Sequence, residues 1–239
     1  MSSILIIQAG TPPADLRMQW GEQGDWFRSA LEGLGLDVSV VRPHLGEALP
    51  EPAEVRSAAI TGSWSMVSGR EDWSERTADW IRSAMAEDLP LFGVCYGHQL
   101  MAHALGGRVD YHPGGPEVGQ LPVTLSAAGL ADTALAGVPQ QFDVFLTHEQ
   151  SVLELPAGAE VLARSAHDPH QILRYGRNAL SVQFHPEFFP DLMRSCIERR
   201  RSSFEAKGAD VEGLLASVSE TPVSRQMLRQ FCAAAAGRV

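Results

Sequence analysis

Cysteine is scarce in this chain, with Cys95, Cys196 and Cys232 alone among 239 residues. So few, and an odd number, build no disulfide framework, and reduced thiols in a cytoplasmic protein are the expectation. Cationic residues are also short: 19 Lys and Arg stand against 29 Asp and Glu, a formal charge of −10. Phosphate backbones bind to clustered cations, so nucleic acid is not an expected partner. No apolar run approaches the length of a membrane span, and "MSSILIIQAG" lacks the basic segment that opens an export signal. Neither a bilayer nor a leader is therefore expected. No phosphate-binding P-loop pattern occurs, and no internal repeat; "AAAA" at 233–236 is the one low-complexity piece.

The residues that are present alternate in character. "SILIIQAG" (3–10), "LDVSVVRP" (36–43), "SAAITG" (57–62) and "LPLFGV" (89–94) read as strands. Between them, Trp26, Phe27, Ala30, Leu31 and Leu34 recur at helical spacing, and a second helix runs through Trp80 and Ile81. After residue 94, Leu100, Met101, Ala104 and Leu105 mark another helix face, closed by Gly106 and Gly107. Such alternation implies an α/β fold whose parallel sheet is covered on both sides. From about 108 to 187 short β-like runs follow one another ("LPVTLS", "QFDVFLT", "AEVLARSA", "QILRYG", "ALSVQFH"), and antiparallel hairpins are expected there. Two helices then complete the chain, one with Leu192, Met193, Cys196 and Ile197, the other with Met227, Leu228, Phe231, Cys232 and Ala235. On those faces Cys196 and Cys232 read as packing residues. The run "RRR" (199–201) reads as charge at a helix C-terminus.

"GVCYGHQ" (93–99) directly follows an apolar strand. A strand that turns sharply into a helix can hold a nucleophile in a strained, exposed position, provided that the positions two before and two after are small. Gly93 and Gly97 flank Cys95 at those two positions. A sulfur at a helix N-terminus meets free N–H groups and the positive end of the helix dipole, which favours the thiolate. Such a nucleophile needs a base and a group to orient that base. "SVQFHPEFF" (181–189) offers His185 at the end of an apolar strand and Glu187 two residues on, pointing the same way along an extended chain.

Together these two motifs resemble the class I glutamine amidotransferase family, whose nucleophile elbow reads G-x-C-x-G-x-Q and whose base and orienter come from H-P-E. The likeness runs from the first strand to about residue 190. It implies Cys95 as nucleophile, His185 as general base and acid, and Glu187 as the orienting carboxylate. It also implies a flavodoxin-like, mostly parallel sheet with helices on both faces, extra antiparallel strands at one edge and C-terminal helices. Residues 1–190 would form the catalytic domain and 191–239 a helical extension of it. "TGSWSMV" (61–67) stands where the family often has S-G-G-P-x-S-V, which makes Ser63 and Tyr96 the oxyanion-hole N–H donors and sets Gly62 beside the substrate. Ser63 replaces a glycine there and Trp64 a proline. Gln99 falls in the Q slot that contacts bound glutamine. Thr147 and His148 begin "THEQSV", which resembles the S-H-x-D segment beside the substrate, with Gln150 in place of its aspartate.

The activity implied is hydrolysis of the glutamine γ-amide through a thioester on Cys95, with ammonia passed to an acceptor. No cofactor and no metal are implied; "HDPH" (167–170) lies in a turn, where solvated histidines are expected. The partners would be glutamine or a γ-glutamyl compound and, for ammonia transfer, a separate synthetase subunit. Two other readings stay open: a γ-glutamyl peptidase, towards which "EQGDWFR" (22–28) and Ser63 lean, and a catalytically silent binding subunit. "YHPGGPEVG" (111–119) reads as a loop near the site.

Overall fold

The computed structural model describes residues 4–206 and 208–237. Its first strands are β1 (Ile4–Ile7), β2 (Val38–Val41), β3 (Ala58–Ile60), β4 (Leu91–Val94) and β5 (Arg108–Tyr111). The second half adds β6 (Glu117–Leu125), β7 (Gln141–His148), β8 (Gln150–Glu154), β9 (Glu160–Arg164), β10 (Ile172–Arg174) and β11 (Ala179–Val182). Period-two alternation explains the central strands. Ile4 and Ile6 join one apolar layer while Leu5 and Ile7 join the other, and Phe92 and Val94 part from Leu91 in the same way. Strands apolar on both faces belong in a sheet covered on both sides. They pair in parallel in the order β2-β1-β3-β4-β11, the doubly wound arrangement of flavodoxin-like folds. Beyond β11 the sheet continues as β10-β9-β6-β7, and every pairing there is antiparallel.

Helices α1 (Ala14–Trp20), α2 (Gln23–Ala30), α3 (Asp72–Ala86) and α4 (Tyr96–Ala104) belong to the first half, followed by the short α5 (Ala127–Ala131). The C-terminal helices are α6 (Pro190–Arg199), α7 (Arg201–Ala206), α8 (Val211–Ser217) and α9 (Pro222–Ala235). One face of the sheet is covered by Phe27, Ala30 and Leu31 of the α2 segment with Met227, Leu228 and Cys232 of α9. The other is covered by Ala78 and Ile81 of α3 with Leu100 and Met101 of α4. A third cluster, including Leu16, Phe188, Leu192, Cys196, Phe204 and Val211, knits α1, α6, α7 and α8 into a cap.

Several sequence expectations change. The 111–119 loop shrinks to 112–116, because Tyr111 ends β5 and Glu117 already pairs with His148 at the start of β6. Strands β5 and β8 form a separate two-stranded sheet that weak local patterning hid. Four helices follow residue 189 where two were expected. The histidines of 167–170 are not solvated. His170 Nδ1 donates to Val152 O (2.6 Å), His167 Nε2 donates to Gly115 O (3.0 Å), and Asp168 is fully buried. They tether the 112–116 loop and β8, contacts that a local turn pattern does not encode. The arginine run is split between two helices, and Arg201 alone pairs with Glu198, Glu205 and Glu212.

Candidate active site

Cys95 sits between β4 and α4 with φ of 50°, in the left-handed region that a non-glycine residue enters only under constraint. The constraint is visible. Its N–H continues the sheet by donating to Val182 O (2.9 Å), and its carbonyl already accepts from Gln99 N of α4 (3.0 Å). A Cβ on Gly93 would lie 2.7 Å from Gly97 O, and one on Gly97 would collide with the Ile60 carbonyl oxygen. Both flanking glycines are therefore required by close approach of backbone to backbone. Gly97 N donates to Thr61 O (3.1 Å), which locks the turn to the end of β3.

His185 follows β11, its N–H bonded to Phe145 O (2.9 Å). Its Nδ1 donates to Glu187 Oε1 (2.8 Å), and its ring stacks on Phe188 with centroids 4.1 Å apart. Cys95 is its other hydrogen-bond partner, which leaves Nε2 for the sulfur. Gly62 makes room for this pair: a Cβ there would stand 2.9 Å from His185 Cε1 and 3.6 Å from Cys95 Cβ. Burial disfavours the imidazolium, yet the Glu187 charge, the Cys95 charge and the two hydrogen bonds outweigh it and push the His185 pKa up to about 10. Glu187 is itself 2% exposed, and its Oε2 has no partner among the described residues.

This electrostatics has a measurable consequence. With a folded pKa near 10 against 6.5 for the free side chain, the stability from His185 is complete below pH 6.5 and fades as pH rises to about 10. Glu187→Gln removes the largest raising influence. The wild type's melting-temperature advantage over that variant is expected to be full at pH 6 and absent above pH 10; an advantage constant across this range contradicts the assignment.

The three side chains meet in a cleft of about 240 Å³. Cys95, Tyr96, Ser63, Gln99, Thr147, His148 and His185 all line it, and Gly62 and Glu187 stand directly behind. Volume below roughly 300 Å³ suits a ligand of amino-acid size. The backbone N–H groups of Ser63 and Tyr96 have no protein acceptor among the described residues. Ser63 Oγ accepts from Ser65 N (3.0 Å) and lies over Gly10, so serine in the glycine slot braces the turn. Trp64, 40% exposed, stands at the rim edge-on to Trp26.

Two expected contacts are more indirect than the sequence implied. Gln99 Nε2 spends both hydrogens inside the protein, on Gln150 O (2.6 Å) and Gln183 Oε1 (3.0 Å), so only its oxygen is left for a ligand. Both nitrogens of His148 are engaged as well, with Gln150 O (2.9 Å) and Glu117 Oε2 (3.0 Å). Its ring braces the wall. Gln150 turns to Ser68, accepting from its N (3.3 Å) and donating to its Oγ (2.5 Å). Sequence reading missed Gln23, Glu149, Cys196, Arg199 and Arg200, all of which border the cleft. Positions 196, 199 and 200 share a helix face by spacing, but nothing local says that this face meets the site. Burial pushes the Cys196 thiol up to about 12, so it supplies no second thiolate. Arg200 pairs with Glu149, and Arg199 with Asp15 at 2.5 Å.

Comparison with known proteins agrees with this geometry. The family model described as glutamine amidotransferase class-I matches residues 26–201. A GMP synthase [glutamine-hydrolyzing] of Aeropyrum pernix is 36% identical over 143 residues, 60% of this chain but 26% of that protein. The chain thus spans about a quarter of that relative's length. Gamma-glutamyl peptidase 4 of Arabidopsis thaliana is 28% identical over 175 residues, 72% of this chain and 70% of that one. The crystal structure of a glutamine amidotransferase from Thermotoga maritima superposes with a TM-score of 0.76 at 21% identity over 99% of both chains, a likeness of fold. With nearly three quarters of its length inside the family model, the chain belongs to the class I glutamine amidotransferase family.

Proposed function

We propose that the protein hydrolyses the γ-amide of glutamine through a γ-glutamyl thioester on Cys95. The observation that carries this reading is the strained Cys95 beside a His185 that Glu187 orients and charges, in a cleft of amino-acid size. Cys95 Sγ attacks the amide carbon and the carbonyl π pair moves to oxygen, which the Ser63 and Tyr96 N–H groups receive. One such donor is typically worth about 3–4 kcal/mol in the transition state. His185 then gives its Nε2 proton to the nitrogen as the C–N bond breaks, and ammonia leaves. Water, giving a proton to the same imidazole, attacks the thioester and releases glutamate and the free sulfur. Thr147, His148, Gly62 and Gln99 shape the wall around the bound amino acid. The residues after 190 act as one domain with the rest, supported by Cys196, Arg199 and Arg200 bordering the cleft.

Resemblance to GMP synthase supports ammonia passing to a separate synthetase subunit. A second reading is favoured by one observation, the match to a gamma-glutamyl peptidase over most of both chains. In it the same steps release an amine or peptide instead of ammonia. The purified chain, incubated with glutamine and with a series of γ-glutamyl amides and dipeptides, separates the two. Glutamate and ammonia from glutamine is the expected result. Cleavage of γ-glutamyl dipeptides with glutamine untouched establishes the second reading. Failure to release glutamate from any of them, with Cys95 unreactive to a glutamine-analogue alkylator, leaves only a silent binding subunit.

A further inference from the structure

Gln23 is the first residue of α2 and only 3% exposed. Its surroundings are held tightly. Gln8 at the end of β1 accepts from Gly24 N (3.1 Å) and donates to Glu22 Oε2 and to Gly10 O (2.9 Å each), which stitches β1 to the start of α2. Gly24 permits this approach, since a Cβ there would lie 3.0 Å from Val40 Cγ2. Gln23 Oε1 accepts the hydroxyl hydrogen of Thr61 (2.9 Å). Thr61 Oγ1 already accepts from Ala9 N (3.0 Å), so its donating side is the one that Gln23 meets. The oxygen of the Gln23 amide therefore faces Thr61, and the NH₂ faces away.

That NH₂ has no acceptor among the described residues, and it is not sealed in the interior. Gln23 borders the cleft that holds Cys95 and Ser63, and the cleft is where its two N–H groups lead. An amide fixed at one end, nearly buried and with its donors unspent, is a preorganised donor for whatever the cleft binds. Its anchor also says which part of the ligand it meets. Thr61 lies two residues before Ser63, and its carbonyl holds Gly97 N (3.1 Å), so the same residue ties Gln23 to both backbone oxyanion donors. A neutral amide matches a carbonyl oxygen gaining charge, whereas a substrate carboxylate has the guanidinium groups of Arg199 and Arg200 available in the same cleft.

We propose that Gln23 Nε2 donates to the scissile carbonyl oxygen, making Gln23 a catalytic residue and the side-chain member of an oxyanion hole completed by Ser63 and Tyr96. The inference rests on the hydrolytic reading above. Wild type, Gln23→Ala and Gln23→Glu are assayed on whichever substrate of the series the wild type turns over. Both variants are expected to lose about 10²- to 10³-fold in kcat, with KM changed less than threefold. Glutamate keeps the Thr61 bond and the volume but has no donor, so it does not rescue. Alkylation of Cys95 by iodoacetamide, which builds no oxyanion, is expected to proceed at the wild-type rate in both variants. A rise in KM at constant kcat overturns the assignment, because the amide then grips a ground-state group. Equal losses in turnover and alkylation overturn it too, as a merely structural role. Full activity in both variants dismisses Gln23 and spares the hydrolytic reading; an inert wild type dismisses both.

Discussion

Cys95→Ser is expected to stop turnover, lowering kcat by a factor on the order of 10⁴ or more while leaving the melting temperature nearly unchanged. The hydroxyl fits the space of the thiol, and the backbone bonds that hold residue 95, from its N–H to Val182 O and from Gln99 N to its carbonyl, do not involve the side chain. What changes is the nucleophile. The His185–Glu187 pair is built to stand as a cation beside a charged sulfur, its pKa near 10 sustained partly by that charge. A serine hydroxyl does not give up its proton to make such a pair, and without it both the attack and the charge on the imidazole are lost. Glutamate release with thermal melting checks this, and turnover within tenfold of wild type removes Cys95 from the chemistry. Glu187→Gln is expected to be milder, about 10²- to 10⁴-fold, because the base survives and only its orientation and charge suffer.

The largest structural effect is expected at Gly97. A methyl group there meets the Ile60 carbonyl oxygen, with Ile60 C and Cβ also at 2.9 Å, and none of these belongs to a flexible chain end. The helix has to move off the sheet, breaking the Gly97 N to Thr61 O bond and shifting Cys95 from His185. Gly97→Ala should therefore cost about 3 kcal/mol or more, or roughly 6–12 °C in a chain of this size, and activity should fall with it. Gly69→Ala serves as the control, since nothing lies within 4 Å of its added Cβ, and its effect should stay within about 0.5 kcal/mol. Equal melting temperatures for Gly97→Ala and Gly69→Ala would contradict the packing account.

Much of the fold was legible where burial pattern and chain direction are both local properties. The strands around Ile6, Ile60 and Phe92 were readable because they are apolar on both faces, which few positions outside a covered sheet can be. Strands β5 and β8 were not, since Arg108, Asp110 and Tyr111 are exposed and their pairing partner lies forty residues away. Helices α7 and α8 were missed for a similar reason, each presenting little more than one buried residue, Phe204 or Val211, to a cap assembled from distant segments. Within the site, Cys95, His185 and Glu187 stood in motifs whose spacing carries its own geometry.

The sequence by itself determined the strand-to-helix elbow, with its two obligatory glycines, and the placing of Glu187 on the same side of the chain as His185. Those are consequences of covalent reach and steric exclusion over a few residues, which no distant contact can undo. Only the tertiary structure decided that Gln23 opens onto the cleft, that His148 and Gln99 have their nitrogens engaged elsewhere, and that Arg199 and Arg200 border the amino-acid site. Each depends on which side chain occupies the last free hydrogen-bonding position after the sheet, α2 and the cap have closed on one another, and that outcome is written in no single segment.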